Sequence, residues 1–155
     1  MTSLRRFKCD DLFRFNNVNL DVLTETYSMG FYLQYLAKWP EYFQVTESPS
    51  GQLMGYIMGK AEGEGNQLPS VKTLHGHVTA VTVAPEYRRL GLARRMMRIL
   101  EDISIVSHSC YFVDLYVRKS NALAIDMYQR LGYSVFREVI GYYSGEENAY
   151  DKSKQ

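Results

Sequence analysis

Residues whose types and spacing suit the binding of an anion occur together near the middle of the chain. Residues 81–83 are β-branched, which is typical of a buried strand. A basic turn with Arg88, Arg89 and Gly91 follows and leads into a segment with helical apolar spacing. The first N–H groups of a helix attract an anion, glycine lets a ligand approach closely, and arginine adds positive charge. The pattern therefore predicts a site for a phosphate or pyrophosphate.

The same turn has a simpler interpretation, an ordinary strand-to-helix connection with a solvated basic face. The dinucleotide-binding and P-loop signatures do not fit, because the second glycine of the first and the Gly-Lys-Ser/Thr ending of the second are missing. The residues alone leave both the anion site and the structural turn open.

The composition restricts the class of protein. The chain has 155 residues, enough for one compact domain, of which 46% are apolar and 23% are charged. A net charge of +1 argues against a general binder of nucleic acids or membrane surfaces. The first residues lack the apolar core of a signal peptide, and Cys9 and Cys110 are too few and too far apart for a structural zinc site. We therefore expect a cytoplasmic protein with free thiols and no metal.

Hydrophobic periodicity and turn residues predict an α/β chain with a mixed sheet. The predicted order is strand, two helices, three strands, helix, strand, helix, strand, strand. The strands are predicted at residues 4–8, 43–47, 53–60, 74–83, 111–117, 133–140 and 149–153. The helices are predicted at residues 10–15 and 31–39, after the basic turn, and at 120–132, with loops at 16–27, 62–70 and 141–148.

The basic turn also resembles a family signature. Arg88-x-x-Gly91-x-Ala93 is similar to the Gln/Arg-x-x-Gly-x-Gly/Ala motif with which the GCN5-related acetyltransferases hold the pyrophosphate of acetyl-CoA. The predicted order of elements matches the fold of that family. The resemblance implies a single N-acetyltransferase domain over residues 1–155. It implies a mixed, mostly antiparallel sheet of about seven strands flanked by about four helices.

Further stretches resemble the catalytic subunits of N-terminal acetyltransferase B complexes: residues 10–17, 20–21, 24–27, 31–36, 39–43, 54–60, 75–79, 114–115 and 132–134. This resemblance implies transfer of acetyl from acetyl-CoA to the α-amine of chains that begin Met-Asp, Met-Glu, Met-Asn or Met-Gln, by direct attack. It also implies an auxiliary helical-repeat subunit and docking at the ribosome, without direct nucleic-acid or membrane binding. A lysine or small-amine acetyltransferase of the same fold, or a silent paralogue that only binds the auxiliary subunit, remains an alternative.

The resemblance implies which residues bind acetyl-CoA. The strand backbone of residues 81–83 would pair with the pantetheine arm of acetyl-CoA, and the basic turn that follows it would hold the pyrophosphate. Asn121 would contact the cofactor, but it could simply cap a helix. Tyr128 would lie near the sulfur as a general acid or orienting group, but it could be a core aromatic. The implied cofactor residues are Val81, Thr82, Val83, Arg88, Arg89, Leu90, Gly91, Leu92, Ala93, Asn121 and Tyr128.

The resemblance also implies which residues bind the peptide. Tyr142 and Tyr143 lie between two glycines in a predicted loop, a setting that favours recognition. His75 would read an acidic or amide second residue, because histidine can donate in a charged or a neutral form. His77 is predicted on the same strand face with a lesser role. The implied substrate-binding residues are Glu25, Tyr27, His75, Gly76, Tyr142 and Tyr143, and the implied catalytic residues are Tyr128, Tyr143 and His75.

Overall fold

A computed structural model of the chain describes residues 2–21, 23–63 and 74–155. Within these ranges it has seven strands and three α-helices, besides four short 3-10 turns. The strands are β1 (Ser3–Arg6), β2 (Gln44–Glu47), β3 (Leu53–Glu62), β4 (His75–Val83), β5 (Phe112–Arg118), β6 (Ser134–Tyr143) and β7 (Glu147–Lys154). The helices are α1 (Met29–Lys38), α2 (Leu92–His108) and α3 (Ala122–Arg130).

The strands form one mixed sheet in the order β1-β2-β3-β4-β5-β7-β6. β4 and β5 are parallel, whereas the β1–β2, β2–β3, β5–β7 and β6–β7 pairs are antiparallel. This arrangement confirms the predicted fold class. None of the helices in the described ranges is long and apolar enough to cross a membrane.

The chain divides into two compact units, and β3, β4 and α2 each contribute residues to both. The first unit consists of Met1–Lys60 and Thr79–Ile103, and the second of Ala61–Val78 and Ser104–Gln155. The expectation of one acetyltransferase domain over residues 1–155 stays a prediction.

An aromatic core organises the first unit. Phe7 stacks on Phe43 with 4.1 Å between ring centroids, and Phe15 meets Tyr32 edge to face at 5.2 Å. Tyr56 is fully buried, and its hydroxyl donates to Asn19 Oδ1 at 2.9 Å. The many tyrosines therefore fill the core while their hydroxyls still find partners.

Helix α1 begins after Ser28, whose Oγ accepts the Phe31 N–H at 3.3 Å. The predicted helix at residues 10–15 is instead a 3-10 turn, Cys9–Phe13. Its start is fixed by Asp11, whose carboxylate accepts the Lys8 N–H at 2.8 Å and pairs with Arg5 at 2.7 Å.

The second unit is built on β5, whose Val113, Leu115 and Val117 are buried. The prediction that residues 141–148 form a loop is wrong, because β6 continues through Tyr143 and a tight turn leads into β7. Gly141 adopts a φ of 64°, which lets β6 shift its register without ending. Asn148 Oδ1 accepts the Gly141 N–H at 2.9 Å and so closes the hairpin.

Candidate active site

The turn between β4 and α2 connects a strand to a helix, as the sequence predicted. Arg89 and Gly91 both lie in the left-handed region, with φ values of 64° and 74°. The helix starts at once, since the Arg95 N–H donates to the Gly91 carbonyl at 3.1 Å. A Cβ at Gly91 would meet no described atom within 4 Å, so its position faces open space. The turn therefore leaves glycine backbone and a helix N-terminus open, an arrangement that can accept an anion.

The side chains of the turn are divided between protein and surface. Arg88 Nη2 donates to Asp21 Oδ2 in an ion pair. The Leu23 N–H and the Arg88 guanidinium lower the pKa of the Asp21 carboxyl. Arg89 and Leu90 are exposed, whereas Leu92 is buried and anchors the first turn of α2.

Residues 81–83 have half-buried valines on either side of a buried threonine. Thr82 Oγ1 lies 3.2 Å from Thr24 Oγ1 and donates to the Val18 carbonyl at 3.4 Å. A Cβ at Gly55 would lie 2.7 Å from the Thr82 carbonyl oxygen, so glycine allows β3 to pack closely there. These contacts fix the strand that precedes the turn.

We define the early loop as residues 20–28, of which residue 22 lies outside the described ranges. The Tyr27 hydroxyl donates to the Thr79 carbonyl of β4 at 3.2 Å, and its ring stacks on Phe31 at 4.4 Å. Glu25 lies in the same loop and is half-buried. The structure thus holds the predicted peptide-binding segment against β4 within the first unit.

A cluster of two histidines and a shared carboxylate lies in the second unit. His77 Nδ1 lies 2.7 Å from Asp114 Oδ1, and His75 Nε2 lies 3.5 Å from Asp114 Oδ2. His75 Nε2 is also 3.6 Å from Glu62 Oε2, and its ring stacks on Phe112 at 4.8 Å. The alternation of β4 thus places both histidines on one face, as predicted.

Sequence reasoning missed Asp114 as a partner of both histidines. The signal was present, because Asp114 is the only charged residue in the apolar run of residues 111–117. A carboxylate in such a run needs a polar partner. The register of β4 and β5, in which His77 lies opposite Asp114, supplies it.

A side chain at Gly76 would point to the opposite side of β4 from the two histidines, toward α2. A Cβ there would lie 2.1 Å from Ser104 Oγ and 2.9 Å from Ser104 Cβ. The absence of a side chain at this position therefore has a packing reason, and a role of Gly76 in peptide binding stays a prediction.

Helix α3 positions Asn121 and Tyr128. Asn121 Oδ1 accepts the Ala124 N–H at 3.2 Å, so this residue caps the helix as the simpler alternative expected. Tyr128 is buried, and its ring meets Tyr133 edge to face at 6.0 Å. Burial, and then the neighbouring Tyr143, raise the pKa of the Tyr128 phenol well above its ordinary value. Tyr128 therefore remains a hydrogen-bond donor throughout the neutral pH range.

Tyr142 and Tyr143 lie at the end of β6 with their rings perpendicular at 5.0 Å. Tyr142 is half-exposed and approaches Tyr116 at 4.5 Å. The Arg118 guanidinium lies 4.1 Å from the centre of the Tyr143 ring and pairs with Glu147 Oε2 at 2.9 Å. The two tyrosines are thus held by strand pairing and a cation–π contact, which sequence reasoning did not identify.

The candidate residues form separate groups in the two units. The turn, residues 81–83 and the early loop belong to the first unit, and the histidine cluster, α3 and the two tyrosines belong to the second. Within the described ranges no group of three or more His, Cys, Asp or Glu residues could hold a metal ion.

Comparison with known sequences gives a consistent result. A family model described as acetyltransferase (GNAT) family matches residues 9–133. N-alpha-acetyltransferase 20 of Dictyostelium discoideum is 62% identical over 99% of this chain and 86% of its own length. The N-terminal acetyltransferase B complex catalytic subunit NAA20 of Arabidopsis thaliana is 58% identical over 99% of this chain and 85% of its own length.

Solved structures agree. Naa20 of Chaetomium thermophilum in complex with a bisubstrate analogue has a TM-score of 0.91 and 45% identity, with 98% of this chain and 85% of that chain covered. A chain of the NatB acetyltransferase complex bound to CoA and MES has a TM-score of 0.86 and 43% identity, with 98% and 97% covered. The chain therefore belongs to the acetyltransferase (GNAT) family, in the group that contains the catalytic subunits of the N-terminal acetyltransferase B complex.

Proposed function

We propose that this protein transfers acetyl from acetyl-CoA to the N-terminal α-amine of proteins that begin Met-Asp, Met-Glu, Met-Asn or Met-Gln. The observation that carries the proposal is the open left-handed turn at Arg89 and Gly91 directly before α2. The high identity to a relative named as the catalytic subunit of an N-terminal acetyltransferase B complex supports transfer to protein N-termini. The choice of the second residue rests on the family resemblance.

The first unit suits acetyl-CoA. Its turn offers backbone N–H groups, the positive end of α2 and the arginines Arg88 and Arg89 to a pyrophosphate. The parallel ladder with β5 ends at Val78, and β4 continues through residues 79–83, which we propose pair with the pantetheine arm. The open space at Gly91 fits this ligand, since no described side chain fills it. Acetyl-CoA supplies the activated acetyl group.

The second unit suits the reading of the second residue of the substrate. His75 Nε2 faces the carboxylates of Asp114 and Glu62, so an acidic substrate side chain alone would meet repulsion. An imidazole N–H directed at the substrate offsets this repulsion, because it can donate to a carboxylate or amide oxygen. We propose that His75 reads acidic and amide side chains in this way.

The buried phenol of Tyr128 is suited to orient the leaving thiolate by donating a hydrogen bond to it. Its raised pKa keeps the phenol protonated, and it also makes the phenol a weaker acid than an ordinary tyrosine. In direct attack the amine nitrogen forms a bond to the acetyl carbon and loses a proton. The bond between that carbon and the sulfur breaks, and the sulfur leaves with the electron pair and takes up a proton. Tyr143, whose ring lies under Arg118, would help to enclose the reacting amine.

Exposed apolar side chains on α1 and beside it suit the auxiliary helical-repeat subunit, which would dock the enzyme at cytoplasmic ribosomes. Met29 and Leu33 lie on α1, and the exposed Leu20 lines a cavity together with Met29. Because such a surface is costly to leave in water, we expect poor solubility of the isolated chain and improvement on co-expression with an auxiliary subunit. Yields in the soluble fraction with and without the subunit measure this. A fully active, well-behaved monomer would contradict it.

The direct test is incubation of the chain, with and without an auxiliary subunit, with acetyl-CoA and a panel of peptides. We expect acetylation of the α-amine of Met-Asp, Met-Glu, Met-Asn and Met-Gln peptides. Peptides with blocked N-termini and internal lysines are the matched controls. Acetylation of lysine alone would identify a lysine acetyltransferase, and binding of acetyl-CoA without any product would identify a silent paralogue.

A further inference from the structure

The early loop is tied to the proposed acetyl-CoA turn through Asp21. One carboxylate oxygen, Oδ2, accepts from Arg88 Nη2, and the other, Oδ1, accepts the Leu23 N–H at 2.7 Å. The Asp21 carbonyl accepts the Thr24 N–H at 3.0 Å. Asp21 therefore organises the loop around itself while its side chain holds the arginine of the turn.

Two more contacts join the early loop to β4, the strand that leads into this turn. Thr24 Oγ1 lies 3.2 Å from Thr82 Oγ1, and the Tyr27 hydroxyl donates to the Thr79 carbonyl at 3.2 Å. The loop that carries the proposed peptide-binding residues thus contacts the proposed acetyl-CoA segment at three points. Of the three, the contact with Arg88 is the only one between opposite charges, and Arg88 belongs to the proposed pyrophosphate turn.

An arginine can serve two anions at once. Its guanidinium has five N–H donors, and the contact with Asp21 uses one nitrogen, Nη2. A pyrophosphate at the turn would bring negative charge near Asp21, and an arginine between the two makes the arrangement favourable. The position of Arg88 is then fixed from both sides, and so is the position of the early loop.

We propose that the Asp21–Arg88 pair couples the two substrates, with Asp21 as a positioning residue. Acetyl-CoA fixes Arg88, Arg88 fixes Asp21, and Asp21 fixes the loop that receives the peptide N-terminus. Each substrate then raises the affinity for the other by the same factor, as thermodynamic linkage requires. This inference rests on the proposed function, because it uses the acetyl-CoA turn and the peptide role of the early loop.

The experiment is calorimetry on the full chain, alone or as the co-expressed complex, with CoA and a Met-Asp peptide. CoA replaces acetyl-CoA so that no turnover occurs. In the wild-type chain we expect CoA to raise peptide affinity about tenfold, and the peptide to raise CoA affinity equally. In Asp21→Asn the factor should fall close to one, and KM for the peptide should rise while kcat changes little. A merely structural role would lower the melting temperature without removing the coupling.

Glu86→Gln is the matched control, because it removes the charge of an exposed carboxylate two residues before Arg88 and outside the early loop. Coupling should persist in this variant. Three results would overturn this inference alone. They are coupling in Asp21→Asn as strong as in the wild-type chain, a loss of coupling in Glu86→Gln as large as in Asp21→Asn, and independent binding of CoA and peptide in the wild-type chain. Failure of the wild-type chain to bind CoA and the peptide at all would overturn the proposed function as well.

Discussion

The two halves of β4 share one strand geometry but differ in what surrounds them. Residues 75–78 pair with β5 in a parallel ladder, and the two histidines of this half face Asp114. Residues 79–83 belong to the other compact unit. There the Thr79 carbonyl accepts from the Tyr27 hydroxyl of the early loop, and the Thr82 hydroxyl is hydrogen-bonded to that of Thr24. The alternation of side chains is the same in both halves, so the neighbours decide the chemistry: ionisable groups in the first half, and backbone and hydroxyl contacts in the second.

The largest effect is expected at the end of the second half. Gly91→Val puts a β-branched residue at a φ of 74° and fills the space in front of α2. We expect the Kd for acetyl-CoA to rise about 100-fold, or about 2.7 kcal/mol, in calorimetry.

Gly51→Val is the matched control, since Gly51 has a similar φ of 84° in the β2–β3 hairpin of the same unit. It should lower stability comparably while leaving the Kd for acetyl-CoA unchanged. Unchanged affinity in a folded Gly91→Val chain would remove the basis for assigning the second half to acetyl-CoA.

The first half is tested by His75→Ala. A hydrogen bond to the carboxylate of the substrate is lost, so kcat/KM for Met-Asp and Met-Glu peptides should fall by a factor that corresponds to about 2 kcal/mol. The Kd for acetyl-CoA should change little. His75→Asn retains a neutral donor and should keep more activity on Met-Asn than on Met-Asp. An equal loss on every peptide, poor substrates included, would make His75 structural or catalytic rather than selective.

In the first half, a substitution at Gly76 distinguishes a role in packing from a role in peptide recognition. Gly76→Ala drives a methyl group into Ser104, whose Oγ lies 2.1 Å from the ideal Cβ position. We expect a loss of about 1.5 kcal/mol in the free energy of unfolding, measured in urea. The double variant Gly76→Ala with Ser104→Ala should recover part of it, because the nearest clashing atom is gone. If stability is unchanged and only peptide KM rises, the packing explanation is wrong.

The smallest effect is expected at Thr82 in the second half. Thr82→Val keeps the shape but removes the hydroxyl that contacts Thr24 and the Val18 carbonyl. A buried hydrogen bond of this kind contributes about 1 kcal/mol, which chemical unfolding would detect. Since the pantetheine is proposed to pair with backbone, the Kd for acetyl-CoA should not change. A large loss of affinity without loss of stability would show that the side chain itself meets the ligand.

Much of the fold followed from local sequence signals. The turn at Arg88–Gly91 and the helix after it were predicted from a basic, glycine-containing connection between two periodic segments, and α2 begins at Leu92 as expected. The cap at Asn121 and the stop at Gly132, with a φ of 95°, were equally local. Helix ends are determined by backbone groups and side chains within one turn, so a short stretch of sequence contains the necessary information.

Other features depended on residues far apart in the chain. The end of β6 was predicted as a loop because of its glycines, but pairing with β7 kept Tyr142 and Tyr143 in the strand. Likewise the resemblance assigned Arg88 to the turn alone, and only the structure shows its pair with Asp21, 67 residues away.

The sequence by itself determined the order of the strands, the turn that leads into α2 and the residue types available for chemistry. Only the tertiary structure places Asp114 beside both histidines, packs Ser104 against Gly76 and joins the early loop to β4. These contacts depend on strand register and on the approach of distant segments, and a local pattern contains neither.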